Sequence, residues 1–511
     1  MQTLIRLLFS RAVLVSAAIL VQIVTLILVI WRFSNYFVYF YAVCTLLSLL
    51  AVLWIVNGKG NHAYKLAWII PIMAFPIFGG LFYLMFGGNK SSRRNRRKMK
   101  DIGDKMHSSL TQCNDVIGLL EEEDRSAANQ ARYICKYSDC PVYVNTGTEY
   151  LTPGERKYER LLEELRKAKR YIFLEYFIIK KGIMWDTILE ILKEKAAQGL
   201  DVRLIYDDMG CLMTLPFGYE KELQAMGIKC FVFNPFVPVL SIRLNNRDHR
   251  KIAIIDGHTG FTGGINLADE YINAQKRFGH WKDSSIMIKG EAVWNLTVMF
   301  LSMWSFLSKT SEDYDAYRPL SADVEAIRAP GYVQPFADSP LDDESVGESV
   351  YLNLIGEARE YVYISTPYLI LDNEMGAALC LAAKRGVDVR IVTPHIADKW
   401  YVHSVSRSNY ELLVESGVHI YEYTPGFIHA KTFVVDDSFA VVGTINLDYR
   451  SLFLHFECGV WMYRTDSVRE VKEDYLRMLP ACQKITRDFN RDVRWHIRLG
   501  RTILKLFAPL M

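Results

Sequence analysis

His249 and His429 stand 180 positions apart (429 − 249) in frames that match motif by motif. Each is followed by a lysine two positions on (Lys251, Lys431) and an aspartate at the seventh (Asp256, Asp436). Then, at equal spacing, come a glycine and an asparagine: Gly263 and Asn266 in one frame, Gly443 and Asn446 in the other. Such a set suits displacement at the phosphorus of a phosphodiester, which is anionic and resists attack. Neutral imidazole is a competent nucleophile there, and a second, protonated imidazole can act as general acid on the departing alkoxide. Lysine and asparagine donors aimed at the non-bridging oxygens stabilise the crowded transition state. One frame supplies half of this set. Two frames facing each other across a pseudo-twofold supply all of it.

The motif residues His249, Lys251, Asp256, His429, Lys431 and Asp436 are therefore the expected catalytic set, with Asn266 and Asn446 as phosphate-binding residues. Alternate residues of a strand share a face, so each His and its Lys are expected to point the same way. Both aspartates are an odd number of positions from their histidines. They are expected to face away and to serve the backbone at the "DGHTG" and "DDSF" turns rather than move a proton. A working imidazole needs its second nitrogen held by an acceptor. Asp283 in "HWKDSSIMIKG" and Glu457 in "HFECGVWMY" come at matching places downstream and suit that histidine-orienting role. His280, His455 and Lys282 are expected to be structural or to face the substrate.

The repeat extends upstream of the motifs. "AKRYIFLEYFII" and "GLDVRLIYD" in the first half match "AREYVYISTPYLI" and "GVDVRIVTP" in the second. Apolar runs alternating with amphipathic stretches such as "TILEILKEKAAQG" indicate an α/β fold with helices covering a sheet, built twice. The polar, Pro-bearing stretch beginning "SADVEAIRAPGYVQPFADSP" is the natural linker between copies.

Of the 511 residues, 50% are hydrophobic, and they are unevenly placed. Apolar segments begin at Ala12, Tyr36 and Leu66, each about 20 residues without a charge, the length that crosses a bilayer core as a helix. "NKSSRRNRRKMK" then places seven Lys or Arg among residues 89–100. Basic flanks stay on the cytoplasmic side, so the soluble part is expected in the cytoplasm of a multi-pass membrane protein, beside anionic lipid rather than nucleic acid. The nine cysteines are scattered, with no C-x-x-C pair, and the histidines form no H-E-x-x-H. This pattern fits a reducing compartment and implies no metal.

The expected organisation is thus a transmembrane anchor over residues 1–88 (two or three helices) and a basic linker over 89–130. Two α/β domains follow over 131–310 and 346–482, joined by a linker over 311–345. A basic amphipathic tail, 483–511, has basic residues from Arg494 interleaved with Trp495, Ile497, Leu499, Ile503 and Leu504. It suits a helix lying on a membrane surface or packing against the catalytic part of the chain.

The two H-x-K-x4-D-x6-G-x-x-N motifs resemble the phospholipase D superfamily. "RDHRKIAIIDG", "FTGGINLADEY", "VRLIYDDMG", "TPYLI" and "GTINLDYRS" resemble its bacterial cardiolipin synthase branch, as do the third apolar segment and the tail "RLGRTILKLFAPLM". The resemblance implies two tandem phospholipase D-like domains in the bacterial cell membrane. It also implies transfer of a phosphatidyl group from one phosphatidylglycerol to another, giving cardiolipin and glycerol through a phosphohistidine, with no cofactor. By the same resemblance His249 is the nucleophile and His429 the acid that becomes the base. The chain departs from the pattern in its extra apolar segment and in Thr444, where a serine is frequent. A hydrolytic phospholipase D or a phosphatidylserine synthase would carry the same residues. A superfamily nuclease is disfavoured by the apolar segments, and an inactive membrane scaffold by two intact motifs.

Overall fold

In this computed structural model the described residues are 102–510, except 113, 236–245, 311, 343 and 491–492, together with most of 20–83. The basic run over 89–100 and most of the first apolar segment lie outside them. Helix α1 (Phe37–Asn57) corresponds to the second apolar segment. Among the described residues it alone is long and apolar enough to cross a membrane, over Val38–Asn57 with mean hydropathy 2.2.

The third apolar segment is described only in part. Its helix α2 (His62–Ala74) contains Pro71 and ends at Phe75, whose φ of −134° leaves the helical region. Beyond the break the chain returns against its neighbours. Ser48 Oγ donates to Pro76 O at 2.7 Å, and the Tyr83 ring lies 5.4 Å from that of Trp68.

Residues 147–484 contain two sheets of matching topology. The first takes β1 (Gly147–Leu151), β2 (Tyr171–Tyr176), β3 (Asp201–Asp207), β4 (Lys229–Phe233), β6 (Lys251–Ile255), β7 (Thr259–Gly263) and β9 (Ser285–Lys289), in the order β1-β9-β7-β6-β2-β3-β4. The second takes β10 (Tyr332–Asp338), β11 (Tyr361–Ser365), β12 (Asp388–Pro394), β13 (His419–Tyr423), β15 (Thr432–Val435), β16 (Phe439–Gly443), β17 (His455–Tyr463) and β18 (Cys482–Lys484). Its order, β10-β17-β16-β15-β11-β12-β13-β18, repeats the first with one added edge strand. Each sheet has a parallel trio joined to an antiparallel set.

Two boundaries shift. The expected linker over 311–345 contains β10, the edge strand of the second sheet, paired along its length with β17. Pro335 disguises it, yet proline is tolerated on an edge because its missing N–H faces outward. At the other end β18 continues past residue 482 and pairs with β13.

Helices α3 (Gly154–Lys167) and α4 (Ile183–Ala197) bury Leu161, Leu165, Trp185 and Leu192 on one face of the first sheet. The other face meets α5 (Val293–Ser308), an apolar helix buried over most of its length. One core runs on from there through both halves, joining Phe173, Ile254 and Phe300 to Val333, Val434 and Trp461. Residues of β16 and β17 pack on β7 and β9, where Thr262 Oγ1 lies 3.2 Å from Cys458 Sγ. The repeats are fused through a shared apolar interior.

Candidate active site

The two motifs meet because a strand changes partners at each histidine. Short strand β5 (Arg247–Asp248) pairs in parallel with β17 of the other half, His455 opposite Arg247. After His249 and Arg250 the chain rejoins its own sheet as β6. The second half repeats this: β14 (Gly426–Ile428) pairs with β8 (His280–Lys282) of the first half, and after His429 the chain continues into β15. The expected regular strand is thus interrupted at both histidines. Their backbone N–H groups bond across the halves, His249 N to Phe456 O at 2.9 Å and His429 N to Lys282 O at 2.7 Å.

The carboxylates are exchanged in the same way. Nδ1 of His249 lies 2.9 and 3.0 Å from the two oxygens of Glu457, and Nδ1 of His429 lies 2.8 Å from Asp283 Oδ2. Both carboxylates are wholly buried, whereas His249 and His429 keep 8% and 7% exposure. A carboxylate on Nδ1 holds the proton there and turns Nε2, with its lone pair, toward the opening. Thr444 Oγ1 donates to Glu457 Oε2, and the Ser284 N–H donates to Asp283 Oδ1 at 2.8 Å. The hydroxyl at 444 therefore steadies the carboxylate that steadies His249.

Lys251 and Lys431 are buried beside their histidines, each Nζ donating to its histidine's carbonyl oxygen. Burial lowers them to about 8 and about 7, against the raising pull of Glu457 and Asp283. His249 is pushed well below the usual imidazole value by burial, then by Lys251, Lys431 and His429. His429 is lowered to about 4 by burial and Lys431, in spite of Asp283. Burial would raise Asp283, but His429, Lys431 and the Ser284 N–H outweigh it and hold the carboxyl below its ordinary range. Burial thus lowers all four groups able to carry positive charge, and positive neighbours add to it at His249, His429 and Lys431. An anion seated among them relieves all four.

Asp256 and Asp436 lie at the far end of their hairpins. Asp256 accepts the backbone N–H groups of Lys169, Arg170 and Tyr171 at 2.8–3.0 Å, and Asp436 accepts those of Arg359, Glu360 and Tyr361. Both have positive φ, 53° and 48°. As their strand parity predicts, the two motif aspartates serve the backbone: they tie the β6–β7 and β15–β16 turns to the starts of β2 and β11. Asn266 Oδ1 accepts the Ile178 N–H at 3.0 Å while Nδ2 donates to Tyr271 OH at 2.7 Å. Asn446 is buried near the second motif, close to Asp448.

Several lining side chains carry no motif. Phe177 lies 5.0 Å from the His249 ring, while Trp281 and Tyr271 lie 5.5 and 5.6 Å from that of His429. His455, two residues before Glu457 as Trp281 is before Asp283, stands 5.6 Å from His249. His249, His455 and Glu457 bring three metal-capable groups within 4.8 Å, a cluster invisible in the sequence because two halves assemble it. His280 and Lys282 are engaged elsewhere, with Tyr423 and with Asp474 and Thr152.

The family model described as "Cardiolipin synthase, PLD-like domain" matches residues 161–304 and 351–479, and a "Phospholipase_D-nuclease N-terminal" model matches 46–88. A Streptococcus mutans protein of undescribed function is 44% identical, covering 90% of this chain and 99% of its own. The cardiolipin synthases of Geobacillus kaustophilus and Alkalihalophilus pseudofirmus are each 34% identical, covering 92% and 91% of this chain and 92% of each relative. The solved phosphatidylserine synthase of Haemophilus influenzae superposes with a TM-score of 0.54 at 16% identity, over 74% of this chain and 97% of that one. That likeness concerns the fold.

Proposed function

The chain belongs to the cardiolipin synthase family of phospholipase D-like proteins, and on that premise we propose that it transfers a phosphatidyl group between two phosphatidylglycerol molecules. The observation that carries the proposal is the exchanged pairing, His249 on Glu457 and His429 on Asp283, which builds one two-histidine site from both repeats. His249 Nε2 attacks phosphorus, the bond to the glycerol headgroup oxygen breaks, and protonated His429 gives that oxygen its proton. Glycerol leaves and a phosphatidyl-histidine remains. Neutral His429 then takes the proton from a hydroxyl of the second phosphatidylglycerol, whose oxygen attacks phosphorus and releases His249. Cardiolipin is the product.

The resting His429 is neutral at pH 7 in this reading, because burial lowers it to about 4. The proton it donates is taken up from water as the substrate binds, because the substrate's negative charge offsets the field of Lys251 and Lys431. These lysines, with Asn266 and Asn446, hold the non-bridging oxygens. One phosphodiester replaces another, so the exchange calls for no nucleotide. A water molecule in place of the second lipid would make the protein a phospholipase D. The soluble domains face the cytoplasm behind a multi-pass anchor; an export-dependent reporter fused after Met511 would be active if they did not.

The test is incubation of purified protein in detergent with phosphatidylglycerol alone, with products identified by mass. Cardiolipin and glycerol are expected. Phosphatidic acid as the main product would assign hydrolysis.

A further inference from the structure

The rim of the site carries apolar side chains that the fold leaves outside its cores. The loop after β3 turns Met213 outward, 78% exposed. That loop is fixed to the site: Thr214 Oγ1 donates to Ile179 O at 2.6 Å, and Gly210 sits so close to Phe177 O that a Cβ would approach it to 2.0 Å. Phe177 is the ring beside His249. The matching loop after β12 leads into α8 (Trp400–Ser408), which comes after α6 (Val346–Glu357) and α7 (Asn373–Lys384) in the chain. Its first residue, Trp400, is 71% exposed, and its neighbour Lys399 adds to the positive field at His249.

Helix α8 packs against the C-terminal helix, α10 (Trp495–Leu506), which follows α9 (Asp466–Met478). On α10, Trp495, Leu499 and Ile503 recur at i, i+4 and i+8, one stripe, and remain 75%, 52% and 51% exposed. The helix is nonetheless docked: Leu504 packs on the small core of Ile370, Val402, Val405 and Tyr449. A single exposed leucine needs no explanation. An aligned stripe with a tryptophan, beside a second exposed tryptophan, does.

Continuity with the membrane anchor says what covers it. The turn Ala508–Leu510 that ends the chain's last helix meets α2, which follows the spanning helix α1 after four residues. Ala63 of α2 packs on the same small core as Leu504, and Asn61 Nδ2 donates to Asp372 Oδ2 at 2.9 Å. The end of the span is therefore fixed to the rim. Tryptophans prefer the level of the headgroups, and the basic residues interleaved along α10 suit anionic lipid.

We infer that Met213, Trp400 and the outer stripe of α10 form one surface that seats the mouth of the site on the leaflet where α1 ends. Lipid then passes from the bilayer to His249 without crossing water. This rests on the reading of the site as acting on a phosphodiester lipid.

The experiment uses the full chain in phosphatidylglycerol vesicles, with benzoylphenylalanine introduced in place of Trp400 or Trp495. Leu47 in α1 is the positive control and Leu381, 63% exposed in the last turn of α7 away from Asp372, the negative one. After illumination, lipid adducts are expected at 47, 400 and 495 and not at 381. Adducts at 47 without any at 400 and 495, or attachment there to a second copy of the chain, would overturn the surface. A Met213→Ser/Trp400→Ser protein adds a kinetic measurement. It should turn over vesicle substrate about tenfold more slowly while matching the parent on water-dispersed short-chain phosphatidylglycerol; equal loss on both would overturn the inference. If the unaltered protein performs no transfer at all, the proposed function fails, yet the adducts still decide the surface.

Discussion

Glu457 holds Nδ1 of His249 at 2.9 Å from 208 positions away in the chain, while Asp283, in the same half as His249, serves His429 instead. Neither half therefore contains a working histidine of its own. The exchange follows from the two short parallel pairings, β5 with β17 and β14 with β8, which carry each histidine to the other repeat's carboxylate.

That pairing predicts which carboxylate supports which step. Glu457→Gln and Asp283→Asn should each lower turnover on the order of a hundredfold to ten-thousandfold, by mis-setting the tautomer of the imidazole they hold. Covalent labelling by a nitrophenyl phosphatidyl ester, whose leaving group needs no acid, should fall sharply in Glu457→Gln and little in Asp283→Asn. Equal loss of label in the two proteins would refute the exchanged assignment.

The histidines themselves separate in the same assay. His249→Ala should form no phosphatidyl-enzyme. His429→Ala should be nearly inactive on phosphatidylglycerol, with a loss on the order of a hundredfold to ten-thousandfold, yet still accept label from the nitrophenyl ester. Peptide mapping that found label on His429 in the His249→Ala protein, and none on His249 in the reciprocal one, would reverse the roles.

Anion binding should take up protons. Lys431 and Lys251 are held at about 7 and about 8 by burial, so near pH 8 they are largely or half neutral until an anion arrives. Binding of tungstate or vanadate should weaken as pH rises through 7–8. Calorimetry in two buffers of different ionisation enthalpy should show net uptake, and zero uptake would contradict the field described for the site.

The unliganded protein should lose stability on the acid side. His429 and His455 are each held at about 4, below their unfolded value of 6.5, by burial. As pH falls below 6.5 the unfolded chain gains protons that the folded site refuses, until about 4. The Tm should therefore drop across that window, and less steeply when both are replaced by asparagine.

Asp256→Ala should act on stability and not on chemistry. It removes the acceptor for three backbone N–H groups at a residue with φ of 53°, at a cost of about 2–4 kcal/mol. Turnover per folded molecule should stay within about threefold of the parent, because His249 keeps Glu457 and Lys251. A loss as large as that of Glu457→Gln, at full folding, would place Asp256 in proton transfer.

The sequence alone determined the residue types and the repeat. Paired His, Lys and Asn at fixed spacing named a phosphodiester chemistry, and the parity of Asp256 and Asp436 turned them away from it, because strand geometry is local and periodic. Duplicated apolar runs foretold two α/β units, and an uncharged stretch of sufficient length foretold α1, a helix long and apolar enough to cross a membrane. Tertiary structure decided what depends on distant segments meeting. Edge strand β10 was hidden by Pro335 and showed itself only through its partner β17. The third apolar segment had the length of a span, yet its helix is interrupted at Phe75, and Ser48 of α1 bonds to Pro76 just beyond. Asp283 and Glu457 were legible as histidine-orienting residues, but not which histidine each would hold. That choice is made where β5 and β14 cross to the opposite repeat, a pairing fixed by backbone hydrogen bonds between residues some 200 positions apart.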